Sequence, residues 1–279
     1  MFTNNPFAAL TDFLPPAFMQ WYVVVMILAV ILGTLFDVVH KGSAQYFFDN
    51  WRKSKSKSKQ PVGGGELVSI AVKTAVVDVL ASGEFCNPRR RLAHLLTMYG
   101  FVIYVVTTAI MVFSYPTPAT PTPALLPQLW WLGGLMALAG GYWFWFFIRV
   151  DVAAEGNSPF RLVRADLFIV SLLASATLGL LWAWAQAKGS PGTLVMFGLY
   201  ILATTVLFAG VPWSKFAHMF FKPAAAFEKR VTHASGSAEN LPTQTRDDPA
   251  QRERHSMQLL RDAPMDMGLG IKREAPRHY

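Results

Sequence analysis

The sequence predicts an all-α integral membrane protein: a five-helix bundle with cytoplasmic interfacial helices and a flexible C-terminal tail. Three observations predict it. The 279 residues are 53% hydrophobic, with a mean hydropathy of +0.32. Runs such as WYVVVMILAVILGTLF and LFIVSLLASATLGLLWAWA approach the roughly 20 apolar residues that a helix needs to cross a bilayer core. Lysine and arginine gather in alternate connecting segments, as they do in multi-pass proteins.

Five spans are expected, at about 19–40, 93–114, 129–149, 165–187 and 194–212. The last is open to extension through VPWSKFAHMFF. Between the second and third, SYPTPATPTPALLPQ is a stiff extended connector, because repeated proline favours polyproline II. The loop 41–92 divides into three parts. GSAQYFFDNWRKSK suits an interfacial amphipathic turn with Tyr46, Phe47, Phe48 and Trp51 at headgroup depth. SKSKSKQPVGGG reads as a flexible break, and ELVSIAVKTAVVDVLASGEF as a helix too short and interrupted to span. The expected domains are residues 1–233, the transmembrane domain with its cytoplasmic loop, and residues 234–279, an extended cytoplasmic partner-binding tail.

Orientation follows from the basic residues. WRKSKSKSK and RRR fall in loop 41–92, Arg161 and Arg164 in the 150–164 loop, and Lys215, Lys222, Lys229 and Arg230 after the last span. The other side has no Lys or Arg before Trp21, none from Ser114 to Gln128, and only Lys188 between the last two spans. The N-terminus is therefore expected outside and the C-terminus in the cytoplasm. This makes the net charge of +8 a membrane signal that meets anionic headgroups, not a nucleic-acid signal. A lone cysteine, Cys86, excludes an internal disulfide and argues against a cysteine-held cluster. No cleavable signal is expected at the start, which lacks a basic region before its apolar residues.

Of six histidines, His233, His255 and His278 fall in the polar C-terminal region and read as solvated. His40, His94 and His218 lie at span ends, all on the cytoplasmic side of the expected topology. Two histidines on different helices at one depth can hold a haem iron from both sides. Arg89, Arg90, Arg91, Lys41 or Lys215 could then pair with its propionates. The competing reading is that these histidines hydrogen-bond at the interface and the arginines only set orientation. Zinc is disfavoured, since no Asp, Glu or Cys completes a tetrahedral set. Asp37 and Asp166 sit at span ends and not at mid-depth, which argues against a pump or transporter. No phosphate loop, dinucleotide fingerprint or catalytic triad is visible.

RRRLAHLLTMYGF, opening the second span, and WSKFAHMFFKP, after the fifth, resemble the haem b membrane subunits of the nitrate reductase gamma type, including those of quinone-interacting oxidoreductases. The resemblance covers about residues 20–230. LFDVVHKGSAQYFFDNWRKSK and DMGLGIKREAPRHY look most like the adenylylsulfate reductase membrane anchors of sulfur-oxidising bacteria. That resemblance implies residence in the bacterial inner membrane. It implies a cytoplasmic partner, the flavin and iron–sulfur enzyme of alpha and beta subunits that oxidises sulfite with AMP, and a quinone as electron acceptor. It also implies one haem b, with His94 and His218 on the iron and Arg90 and Arg91 beside it. Two-haem relatives carry a second histidine pair where this chain has Tyr104 and Tyr200, so at most one haem is implied. The two tyrosines are then packing residues or polar contacts to a quinone head.

The leading function is thus an electron-transfer anchor linking that reductase to the quinone pool. The alternatives are a haem-free docking anchor or the haem b subunit of another quinone-linked complex. Trp213, Lys215 and Phe216 are candidate quinone contacts, because they combine aromatic surface with a donor at the interface. The tail cannot bury enough surface to fold alone. It suits a segment ordered by its partner, with Met257, Leu259, Leu260, Met267 and Leu269 as anchors and Arg273, Arg277 and Tyr279 as polar or aromatic contacts.

Overall fold

A computed structural model describes residues 2–40, 43–83, 85, 87–153 and 156–237. Every regular element among them is helical. A 3-10 turn, Ala8–Asp12, precedes α1 (Pro16–His40), α2 (Ser43–Ser56) and α3 (Gly64–Lys73), which continues as a π-helical stretch, Thr74–Leu80. Then come α4 (Pro88–Ser114), α5 (Leu125–Trp143, extended by a π-helical turn Phe144–Ile148) and α6 (Val150–Ala153). A 3-10 turn Arg164–Asp166 leads into α7 (Leu167–Ala187), followed by α8 (Thr193–Ala209) and α9 (His218–Ala234). Pro16 and Pro88 open α1 and α4, where the missing N–H costs no helical hydrogen bond.

Four segments are long and apolar enough to cross a membrane: Pro16–His40, Pro88–Ser114, Leu125–Ile148 and Arg164–Ala187. This is a multi-pass membrane protein. α8 is as apolar but has only 17 residues, about 26 Å at roughly 1.5 Å per residue, short of a bilayer core of about 30 Å.

The chain divides into two compact units: residues 1–43 with 88–221, and residues 44–87 with 222–279. In the first unit, glycine sets how closely the helices approach. A Cβ on Gly100 of α4 would lie 2.4 Å from the Ala137 backbone N and 2.7 Å from the Gly133 carbonyl oxygen of α5. These helices therefore touch backbone to backbone, the contact that small residues permit in lipid. α5 meets α7 where Gly134 faces Leu180 and Gly141 faces Leu173. α7 is tied to α8 by the Ser175–Thr204 hydroxyl pair at 2.7 Å, and α1 to α8 by the Tyr22 hydroxyl, 3.1 Å from the Ile201 carbonyl and 3.0 Å from Thr205. The large exposed side chains of α1, among them Ile27, Leu28, Leu32 and Phe36, are apolar, as a lipid-facing surface requires.

The N-terminal segment is part of this unit. Phe7 and Leu10 are buried, and Phe7 packs edge-on against Trp130 and beside Trp182. Asn5 Nδ2 donates to the Tyr115 carbonyl and to Thr122, which pins the α4–α5 connector.

In the second unit Trp51 of α2 stacks on Phe227 of α9, with ring centroids 5.9 Å apart. Arg230 of α9 grips Asp78 through two hydrogen bonds, at 2.7 and 2.8 Å. The expected break SKSKSKQPVGGG lies between two helices: residues 57–63 carry no helix, while its ends join α2, which runs through Ser56, and α3, which starts at Gly64. The N–H groups of Lys59 and Gln60 both donate to the Ser235 carbonyl. Those partners come from 176 and 175 residues further along the chain, so local composition does not reveal them.

A correction concerns His218. It does not close the fifth span. α8 stops at Ala209, and Gly210 and Pro212 enter a 3-10 turn Val211–Trp213. His218 then opens a new helix. Pro212 has no N–H to continue the ladder of α8.

Candidate functional site

α4 packs antiparallel on α5, α5 on α7 and α7 on α8, so the start of α4, which carries His94, lies at the same end of the first unit as the segment after α8, which carries His218. The turn bearing His94 is held firmly. Gly140 of α5 lies so close that a Cβ there would sit 2.5 Å from the Ala93 carbonyl oxygen and 2.8 Å from the Thr97 N. His94 itself is half-buried. His218 is half-buried too, with its Nδ1 against the Lys215 carbonyl oxygen. A backbone carbonyl there fits a proton on Nδ1. The Phe168 ring stands edge-on to His218 at 5.9 Å and to Phe216 at 5.4 Å. Phe216 meets Phe208 at 6.0 Å, and Phe208 meets Phe101 at 6.2 Å. Phe101 lies seven residues, two turns, beyond His94 on the same face of α4. An aromatic series thus joins His218 to the helix face below which His94 sits.

The other expected site residues scatter. Arg89, Arg90 and Arg91 lie in the first turn of α4 and are exposed, and Arg90 Nη2 donates to the Ile148 carbonyl at 3.3 Å. Trp213 and Lys215 are exposed, whereas Phe216 is buried and lines a cavity. His40 is exposed and stacks on Phe36, its neighbour one turn back. Lys41, Cys86 and the tail residues Met257, Leu259, Leu260, Met267, Leu269, Arg273, Arg277 and Tyr279 lie outside the described residues. Among the described residues, no three His, Cys, Asp or Glu side chains are grouped to hold a metal ion; a haem held by two imidazoles needs no such group. In the second unit, partial burial raises the Glu228 carboxyl above the ordinary glutamate range.

Two features escaped sequence reading. One is Arg149, buried at the end of the π-helical turn Phe144–Ile148. It pairs with Asp166 at 2.6 Å, donates to the Arg161 carbonyl at 2.8 Å, and lies 4.0 Å above the Trp145 ring. By position alone it is one more basic residue beside a span. The other is a cavity of about 310 Å³ among α1, α4, α7 and α8. It runs from Phe7, Tyr104 and Tyr200 down to Phe216, Met219 and Phe220, which flank His218 in sequence.

At the cavity's inner end, Tyr104 and Tyr200 converge on Gly179. A Cβ on Gly179 would fall 2.2 Å from the Tyr104 hydroxyl and 2.9 Å from the Tyr200 ring. Each tyrosine ring is also stacked on a tryptophan, Tyr104 on Trp130 at 4.9 Å and Tyr200 on Trp182 at 5.6 Å. The Tyr104 hydroxyl is buried and, though close to Tyr200, forms no hydrogen bond of ordinary geometry.

No protein-family model matches the chain, and no solved structure matches it. It is similar to citrate utilization protein B of Escherichia coli, with 24% identity over 207 residues, 67% of this chain and 52% of that protein. The chain thus spans about half the length of this curated relative.

Proposed function

We propose that this chain is the membrane anchor and electron-transfer subunit of a quinone-linked oxidoreductase, with one haem b held between His94 and His218. In this reading α8 completes a five-helix bundle in a bacterial inner membrane, with the N-terminus outside and both histidines at the cytoplasmic end. α2 and α3 are its interfacial helices. The partner is a cytoplasmic flavin and iron–sulfur reductase of the adenylylsulfate reductase class, with the tail after residue 234 as its docking segment.

The observation that carries the reading is the shared placement of the two imidazoles. Both sit at one end of the bundle, half-buried, on backbone held from outside: His94 by the close approach of Gly140, His218 by its own Nδ1 contact and the Phe168 ring. Two imidazoles with a polar boundary nearby are a donor set that fits a low-spin haem iron. When bound, haem supplies a centre that takes and gives one electron at a time. Arg90 and Arg91 on the exposed first turn of α4 would meet the propionates. Phe216, at the base of the cavity, belongs to the quinone side of the path, and Trp213 and Lys215 to the adjoining surface.

The test is a visible spectrum of membranes after dithionite reduction. Wild type is expected to show the bands of a b-type haem, and His94→Ala and His218→Ala are each expected to lose them. Variants that keep the wild-type spectrum would remove these ligands from the proposal. A colourless wild type that still retains the enzyme on membranes would leave a haem-free docking anchor.

A further inference from the structure

We infer that the cavity between α1, α4, α7 and α8 holds one acyl chain of a membrane phospholipid, inserted sideways from the bilayer between α1 and α4. The site depends only on the membrane-spanning character of these helices, not on haem, quinone or reductase.

The wall sets the chemistry of the occupant. It is almost wholly apolar around about 310 Å³ of open space. The polar groups of the lining residues are turned to protein. Tyr22 is bonded to Ile201 and Thr205, Thr108 accepts from Trp130 Nε1 at 2.9 Å, and Ser175 is paired with Thr204. The Tyr104 hydroxyl is packed on Gly179 beside Tyr200 and is inaccessible. A buried water needs about two to four polar partners, which this wall does not offer. A polar or charged ligand fails for the same reason. An apolar cavity about half this size, roughly 150 Å³, stays dry and takes up an apolar guest. Here the space is elongated. Its lining on α1 runs from Met19 to Ile31, about 18 Å at roughly 1.5 Å per residue. That is the form of a chain lying along the helices.

The entrance lies between α1 and α4. α1 is drawn to α8 by Tyr22, and to the turn after α8 at Gly33, where an added Cβ would lie 3.0 Å from Val211. Toward α4 it is held near its start, where Gln20 Nε2 donates to the Val112 carbonyl at 3.3 Å. Beyond that tie the two helices border the cavity from either side. Val23, Ile27 and Ile31 of α1 and Phe101, Val105 and Ala109 of α4 line it, and none of the six is buried. Ile27 and Ile31 are 51% and 49% exposed, on the apolar face that α1 turns to lipid. The phase at the opening is therefore the acyl chains of the bilayer. Helices in lipid are held by packing contacts, which an empty slot forfeits. α1 is the least buried of the four long spans, and a chain in the slot supplies contacts along it.

The test uses the full-length protein in nanodiscs of a phosphatidylcholine that carries a diazirine midway along one acyl chain. After illumination, mass spectrometry maps the adducts. Leu172 and Ala176 of α7 line the cavity and are 2% and 4% exposed, so chains in the surrounding bilayer do not reach them. Leu132 and Leu135 of α5, 49% and 53% exposed, report that surrounding lipid. Wild type is expected to carry adducts at both pairs. Ala109→Leu and Val30→Phe each place apolar volume in the cavity. In each, adducts at Leu172 and Ala176 are expected to fall severalfold, while those at Leu132 and Leu135 persist. Absence of wild-type adducts at Leu172 and Ala176 would overturn the inference, whatever the variants do. So would undiminished labelling there in a variant whose melting temperature in nanodiscs matches that of wild type. Isolation of the protein with an equimolar ring-bearing guest that blocks the label, a prenyl quinone or a porphyrin, would also overturn it.

Discussion

The Arg149 Nη1 and Asp166 Oδ2 atoms lie 2.6 Å apart, with both side chains nearly inaccessible. This pair clamps the segment between α5 and α7, because Asp166 also accepts from the Val163 N–H at 3.0 Å and Arg149 reaches the Arg161 carbonyl. Asp166→Ala leaves a buried guanidinium without its counter-charge, which costs about 3–5 kcal/mol. Thermal unfolding in detergent is expected to shift markedly downward. The double variant Arg149→Met with Asp166→Leu is expected to recover most of the loss, since it leaves no buried charge. Equal instability of single and double variants would show that the clamp works through shape and not charge.

Gly140 is expected to control the turn that carries His94. Gly140→Ala sets a Cβ against backbone atoms of Ala93 and Thr97, which cannot swing aside as a side chain can. α4 and α5 must separate there, at a cost of about 1–3 kcal/mol. Gly198→Ala on α8 is the control: its Cβ meets nothing within 4 Å, and it is expected to be neutral or slightly stabilising. Melting curves of the two variants compare these outcomes directly. Under the haem proposal, Gly140→Ala also reduces the haem content per protein.

In the second unit, Arg230→Lys keeps the charge but loses the two-point grip on Asp78. A loss of about 1 kcal/mol is expected, because the arginine is partly exposed and solvent screens the pair. Hydrogen exchange is the suitable measurement: amides of α3 and α9 are expected to exchange faster, and those of α4 and α5 to stay unchanged. Uniform acceleration through the chain would contradict the division into two units.

Deletion of residues 240–279 tests the docking proposal. The enzyme is expected to leave the membrane fraction, while any haem spectrum persists because His94 and His218 lie upstream. Retention of the enzyme on membranes would move docking to the segment 44–87.

The all-helical membrane character was legible in the residues themselves. Apolar runs of bilayer length admit few folds other than helices, because backbone groups in lipid must bond within their own segment. The helix boundaries lie close to those expected, with α4 starting five residues earlier, at Pro88 instead of 93. The paired glycines at 133–134 and 140–141 were a readable signal of close packing, though not of the helix they face. The two histidine motifs were visible as residues, but the break at Gly210–Pro212 that sets His218 on its own helix was not recognised. Only the tertiary structure decided the rest. Arg149 became a buried clamp because Asp166 reaches it across a loop. Lys59 and Gln60 found their backbone acceptor at Ser235, far along the chain. Tyr104 and Tyr200, 96 positions apart, came together because Gly179 on a third helix leaves room for both. These pairings depend on which helix packs on which, and in lipid that choice is made by shape and hydrogen bonds between distant side chains, which no local pattern of hydrophobicity encodes.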